Sequence, residues 1–243
     1  MSGLLDPFRR CINYLRISVT DRCNLRCIYC MPPEGIPLIP HSEILTYEEI
    51  STVVQVAAGL GISKIRLTGG EPLVRADLPK LVEMLSSIEG IGELSLTTNG
   101  VLLKKYALEL KQAGLKRVNV SLDTLKTDRF RYITRCGELK EVLDGIEMAR
   151  NAGLCPVKIN MVVMRGVNDD EVLDFANMTR KEEWHVRFIE LMPFHNAIAF
   201  VPSSELRERI RSLGSLEPCS SIIGNGPARC YRLSRAGGTI GFI

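Results

Sequence analysis

The reading of the fold turns on Leu15-Arg-Ile-Ser-Val-Thr-Asp-Arg-Cys23-Asn-Leu-Arg-Cys27-Ile-Tyr-Cys30. Its first part alternates with period 2: Leu15, Ile17 and Val19 fall on one face, Arg16, Ser18 and Thr20 on the other. The same pattern returns four times. Ile65 and Leu67 oppose Arg66 and Thr68, and Leu94 and Leu96 oppose Ser95, Thr97 and Asn99. Val118, Val120 and Leu122 oppose Asn119, Ser121 and Asp123; Val157, Ile159 and Met161 oppose Lys158 and Asn160. Strands are predicted over 15–20, 64–69, 93–99, 117–123, 157–163 and 186–192.

Helical patterns fill the gaps. Thr46 and Glu49 have the spacing of a capping box, and Gly61 lies near the end of that helix. Asp77 is expected to open a helix over 78–88. The segments 102–113 and 139–152 stop at Gly114 and Gly153, the usual place for a glycine, and 169–179 follows Asn168. Strand, helix, strand, repeated, implies right-handed crossovers and a parallel sheet. Strands of such sheets are normally apolar on both faces, whereas these alternate. A half-solvated antiparallel sheet would alternate too, but the intervening helices disfavour it. The expectation is an α/β fold: an incomplete (βα)6 TIM-type barrel with helices outside, an open side and a polar interior. Arg16, Arg66 and Lys158 point into that interior and suit a ligand carrying phosphates. Arg16 or Lys158 could instead pair with Asp123 or Glu190.

Eight cysteines are present, three of them crowded into the loop after the first strand: Cys23, Cys27 and Cys30. That loop leaves the carboxyl end of a barrel strand, where reacting groups sit. Three thiolates can hold three corners of a [4Fe–4S] cube and leave one iron open to a ligand. A zinc site would need a fourth ligand, and His41, His185 and His195 have no finger spacing. A catalytic thiol needs one cysteine and a base.

A net charge of +3 is too weak to imply nucleic acid, and no apolar run reaches the ~20 residues of a membrane span. The first ten residues lack the apolar stretch of a secretory signal. A reducing, cytoplasmic compartment is expected, with clustered thiols serving a metal rather than disulfides.

The C-x3-C-x2-C loop, with Tyr29 before its last cysteine, resembles the radical S-adenosylmethionine (SAM) superfamily. Thr68-Gly-Gly-Glu-Pro72 looks like that family's GGEP motif. Further phrases narrow the resemblance to the radical cyclases that act on GTP in molybdenum cofactor biosynthesis. These are 16–24, 65–75, Leu96-Thr-Thr-Asn-Gly100, 118–123, 157–160, 166–170 and Arg187-Phe-Ile-Glu-Leu-Met-Pro193. The resemblance implies that Cys23, Cys27 and Cys30 ligate a [4Fe–4S] cluster. It also implies that Tyr29, Gly70, Ser121 and Met192 contact SAM, and that Arg16, Arg66, Thr97 and Lys158 contact GTP. Cleavage of SAM would give a 5′-deoxyadenosyl radical that takes the 3′ hydrogen of GTP, and the carbon radical would close on C8. The product would be 3′,8-cyclo-7,8-dihydro-GTP, a lyase outcome. An electron donor and a downstream pyranopterin-forming protein are the implied partners, with no nucleic acid and no membrane; a homodimer is compatible with this reading. Alternatives are another radical SAM enzyme, on a peptide or sugar, and a non-catalytic fragment.

The family holds a second [4Fe–4S] cluster in its C-terminal part, on a C-x2-C…C set. This sequence ends at Gly238-Thr-Ile-Gly-Phe-Ile243, and Cys219 and Cys230 lack that spacing. The expectation is therefore a core over 1–193 and an incomplete C-terminal region over 194–243, without guanine-side contacts. The segment 194–204 also lacks an expected aromatic-rich stretch.

Overall fold

The computed structural model describes residues 3–182, 184–192, 199–219 and 228–243. The expected boundary at 193/194 and residues 194–198 of the 194–204 segment lie outside these residues. The elements run β1 (Tyr14–Ser18), α1 (Tyr47–Gly59), β2 (Lys64–Thr68), α2 (Leu78–Ser86), β3 (Glu93–Thr98), α3 (Leu103–Gln112) and β4 (Arg117–Ser121). Then follow α4 (Thr127–Thr134), α5 (Leu139–Asn151), β5 (Lys158–Val163), α6 (Val172–Lys181) and β6 (His185–Glu190). The chain ends with α7 (Ser203–Arg211), β7 (Leu216–Pro218), β8 (Arg229–Leu233) and β9 (Thr239–Phe242). All six expected strands form. The sheet order is β1-β2-β3-β4-β5-β6-β9-β8-β7, mostly parallel and not closed.

Two compact units divide the chain. The first holds Met1–Asn24, Ile36–Asn119 and Glu141–Cys155. In it β1, β2 and β3 pair in parallel, with Arg16 beside Arg66 and Arg66 beside Ser95. The alternation that predicted the strands becomes two faces. Ile65, Leu67, Leu94 and Leu96 are buried with Leu81, Leu85, Leu103 and Ala107 of the helices. Each such leucine contributes about 1.5–3 kcal/mol by leaving water. The capping box at α1 is present: Thr46 Oγ1 accepts from the Glu49 N–H at 3.2 Å, and Glu49 Oε2 accepts from the Thr46 N–H at 2.7 Å. Asp77 stands at the start of α2, as expected. It has φ 55° and makes no side-chain cap. The chain turns through the left-handed region there, so the helix enters through Leu78 and Pro79, whose ring presets a helical φ.

The second unit holds Leu25–Gly35, Val120–Lys140 and Pro156–Ile243. Here β5, β6 and β9 are parallel, while β8 and β7 run antiparallel. The expected six-strand pattern is therefore extended by three strands. Neighbouring positions align polar residues into rows. Lys158 sits beside His185, and His185 beside Thr239; Asn160 sits beside Arg187, Arg187 beside Gly241 and Gly241 beside Cys230. Helix α4 was not anticipated, because its eight residues carry only Phe130, Ile133 and Thr134 on the buried side.

Candidate functional site

In the first unit the site starts where β1 and β2 end. The Val19 N–H donates to Thr68 O at 2.8 Å, extending the β1–β2 pairing past the last strand residue. The chain from β2 then folds back over the chain from β1. The Gly70 N–H donates to Thr20 O and the Glu71 N–H to Arg22 O, both at 2.7 Å. A Cβ on Gly70 would lie 2.3 Å from Arg22 O, and one on Gly69 would lie 2.6 Å from Thr20 O. Only glycines admit this approach. The GGEP turn is thus pressed onto the backbone that leads into Cys23.

Glu71 closes this turn from within. It is buried, at 1% exposure. Its Oε1 accepts from the Leu73 N–H at 3.0 Å and from Thr98 Oγ1 at 2.7 Å, and its Oε2 from the Asn99 N–H at 2.6 Å. Burial raises its pKa above the usual carboxylate range, against the pull of these donors. Asn99 in turn reaches the cysteine loop: its Nδ2 lies 2.7 Å from Asn24 Oδ1 and 3.9 Å from Cys23 Sγ.

Of the remaining sequence-predicted residues in this unit, Arg66 is buried with Nε donating to Ser95 Oγ at 3.4 Å, and its guanidinium lies 5.2 Å from the centre of the Tyr14 ring. Thr97 is half-buried; Arg16 and Gly70 are exposed. Asn119 is fully buried, and its Oδ1 has no hydrogen-bond partner. A buried acceptor in that state suits a ligand that brings its own donors.

In the second unit the loop residues 25–35 dock on the end of α4. The Arg26 N–H donates to Thr134 O and the Ile28 N–H to Ile133 O, both at 2.9 Å. Ile28 and Tyr29 pack against Ile133, Met164 and Leu191. Arg135 ties the loop down, its guanidinium donating to Arg26 O and Met31 O. Between Cys27 and Cys30 the chain makes a tight turn, with the N–H groups of Cys30 and Met31 both donating to Cys27 O. Tyr29 donates to Asp123 Oδ2 at 2.7 Å. Burial pushes the Asp123 carboxyl up to about 6, the Tyr29 and Val162 donors opposing it. The same burial raises the Tyr29 phenol.

Lys158 is 1% exposed, Ser121 half-buried and Met192 exposed. The oxygens of Asp123 accept from the Tyr29 hydroxyl and from the Val162 N–H. Glu190 Oε1 accepts from the Ser203 N–H at 2.6 Å. Arg187, buried next to Asn160, received no role from sequence. Its signal was there, since a lone cation between Val186 and Phe188 repeats the pattern of Arg66 between Ile65 and Leu67. Its side chain lies over Gly241, where a Cβ would come 3.2 Å from Arg187 Cγ. Asn160 Oδ1, like Asn119 Oδ1, is buried and unpartnered. Glu71, Asn99 and Asp123 were likewise quoted in motifs or faces without being given their present partners.

Cys23, Cys27 and Cys30 are not in disulfides; the first two are half-buried and the third exposed. Among the described residues no group of three His, Cys, Asp and Glu side chains is arranged to hold a metal ion. The fit to an iron–sulfur cluster is one of donor chemistry: three thiols in eight residues of one loop, with an amide N–H directed at one sulfur. Polar rows with unpartnered acceptors fit a polar cofactor and substrate.

Comparison with known proteins agrees with this chemistry. Residues 17–179 match the Radical SAM superfamily. A GTP 3',8-cyclase of Moorella thermoacetica is 57% identical over 242 residues, 98% of this chain and 75% of the relative. The GTP 3',8-cyclase of Pelotomaculum thermopropionicum is 55% identical over 244 residues, again 98% and 75%. Among solved structures, a radical SAM methyltransferase from Sphaerobacter thermophilus superposes with a TM-score of 0.63 at 20% identity, over 82% of this chain and 62% of that one. Streptococcus suis SuiB bound to S-adenosylmethionine gives 0.65 at 16% identity, over 83% and 47%. The structural likeness establishes the partial-barrel fold, and the sequence identity carries the assignment further. With its cysteine loop clasped by a GGEP turn, this chain belongs to the radical SAM superfamily and, within it, to the family of GTP 3',8-cyclases.

Proposed function

We propose that this chain binds GTP and SAM and carries out the radical step that converts GTP to 3′,8-cyclo-7,8-dihydro-GTP, at the start of molybdenum cofactor biosynthesis. The observation that supports this most directly is the GGEP turn on the chain leading into Cys23: the N–H groups of Gly70 and Glu71 donate to the carbonyls of Thr20 and Arg22. A turn held that closely presents its backbone next to whatever the thiols bind. Cys23, Cys27 and Cys30 hold the [4Fe–4S] cluster. When bound, cluster and SAM together supply a 5′-deoxyadenosyl radical for hydrogen abstraction.

The chain's own residues bind and orient. Gly70, Tyr29, Ser121 and Met192 receive SAM. Arg16, Arg66 and Lys158 take the triphosphate, and Thr97 donates to the nucleotide. Lys158 and Arg66 are both buried cations, of a kind that suits a phosphate. Arg187, buried beside Asn160, joins them. Hydrogen abstraction needs close positioning, which rigid strand ends provide better than loops. In this reading residues 1–193 form the radical core and 194–243 begin a C-terminal region. The chain spans about three quarters of the length of the curated relatives it matches. No helix among the described residues is long and apolar enough to cross a membrane. A cytoplasmic setting, a reducing electron donor and a downstream pyranopterin-forming partner complete the proposal.

The test is anaerobic reconstitution with iron and sulfide, then SAM and dithionite with and without GTP. Iron matching one cluster on this loop and formation of 5′-deoxyadenosine are expected, the latter increased by GTP. Iron that stays bound when Cys23, Cys27 and Cys30 are all replaced by alanine would overturn the ligand assignment.

A further inference from the structure

Asn99 stands just past the end of β3, and every polar atom of its amide side chain has a defined direction. Its Oδ1 accepts from the Val101 N–H at 3.1 Å. That contact settles which end of the amide is oxygen. Its Nδ2 donates to Asn24 Oδ1 at 2.7 Å and lies 3.9 Å from Cys23 Sγ. The backbone beneath is held as firmly. The Asn99 N–H donates to Glu71 Oε2 at 2.6 Å, and the Gly100 N–H donates to Thr98 Oγ1 at 3.0 Å. Thr98 itself donates to the other oxygen of Glu71. A buried carboxylate in the GGEP turn therefore fixes the strand end that carries Asn99, and Asn99 addresses a cysteine sulfur.

We infer that Asn99 is a positioning residue for the iron–sulfur centre: its Nδ2–H donates to the Cys23 sulfur and raises the cluster's reduction potential, with Glu71 holding the donor in place. The inference rests on the proposed ligation by Cys23. Its physical basis is general. A hydrogen bond to a ligating sulfur withdraws charge from it, stabilises the reduced, more negative cluster, and so moves the potential upward. Radical cleavage of SAM begins with that reduced cluster, so the donor also sets how strong a reductant the chain needs.

The experiment is an EPR-monitored redox titration of the reconstituted protein, comparing wild type with Asn99→Ala and Asn99→Asp. Asn99→Asp keeps the acceptor for the Val101 N–H but puts an oxygen where the donor was. Both variants are expected to hold as much iron as wild type and to titrate at a more negative potential, with Asn99→Asp lower than Asn99→Ala. A second measurement needs no variant. With asparagine isotopically labelled only at the side-chain amide nitrogen, pulsed EPR of the reduced wild-type cluster is expected to show a coupling to that nitrogen. Unchanged potentials at full iron content, or no coupling in the wild type, would overturn the inference while leaving the cysteine assignment intact. A wild type that takes up no cluster would overturn the ligation itself, and the inference with it.

Discussion

The phenol of Tyr29 donates to Asp123 Oδ2 at 2.7 Å, and the other oxygen of Asp123 accepts from the Val162 N–H at 2.8 Å. One buried carboxyl therefore joins the cysteine loop to the segment after β4 and to an inner position of β5. Asn168 caps the arrangement, its Nδ2 donating to Asp123 O and Val162 O. The loop's aromatic residue is thus fixed by its hydroxyl as well as by its ring.

Removing that carboxyl leaves two donors unmet. Asp123→Ala is expected to destabilise the apoprotein by about 1–3 kcal/mol, the cost of orphaned buried donors. Asp123→Asn keeps an acceptor for Val162 and loses less, and Tyr29→Phe loses less again. Urea denaturation under anaerobic, reducing conditions measures the order. Equal stability of all three with wild type would show that the hydrogen bond contributes nothing.

The same carboxyl makes stability depend on pH. Its native pKa, about 6, lies above the ordinary value of 3.8 because of burial. The native state then holds a proton that the unfolded chain has released, so stability falls as pH rises from about 4 to 6 and is flat beyond. The full excursion is about 3 kcal/mol. Glu71, shifted the same way by burial, adds a fall of the same sign. Asp123→Asn should flatten the Asp123 part of the slope in denaturation curves taken across this range; a slope identical to wild type would contradict the assignment.

Gly70→Ala places a methyl 2.3 Å from Arg22 O, where backbone rather than a movable side chain stands in the way. The turn must lift off the strand end that leads into Cys23. A loss of about 1–3 kcal/mol is expected from overpacking alone. Reconstitution should also yield substoichiometric iron. Gly166→Ala is a control, since a Cβ there meets nothing within 4 Å, although its φ of +72° brings local strain. Full iron content in Gly70→Ala would argue against the clasp.

The buried cations should be read by the phosphates. Lys158→Met and Arg66→Gln are expected to weaken GTP binding by about 2–4 kcal/mol, and guanosine binding hardly at all. Calorimetry with both ligands on the reconstituted protein separates the two. An equal loss for guanosine would place these residues elsewhere on the nucleotide or in the fold.

Much of this was legible in the sequence. The six strand positions followed from alternation, because a strand's side chains change face at every residue. The Thr46–Glu49 box followed from spacing, because both partners lie within one helical turn. Thiols within eight residues needed no tertiary information to be grouped. Asp77 marked the start of α2 for a local reason as well: a short polar residue is common before a helix, and it tolerates the left-handed backbone that the chain adopts there. Helix α4 escaped because eight residues give too little periodicity.

What the sequence by itself determined was where the strands lie, which residues share a strand face and which chemistry they carry. What only the tertiary structure decided was who meets whom. Alternation placed Asp123 on the polar face without revealing that it accepts from Tyr29, which lies 94 residues away along the chain. It placed Glu71 after a strand without revealing that its two oxygens hold the end of β3. It gave no direction to β8 and β7, which return antiparallel beside β9. The physical reason is that period and spacing act within a few residues, whereas a buried carboxyl takes whichever donors the packing of distant strands delivers to it.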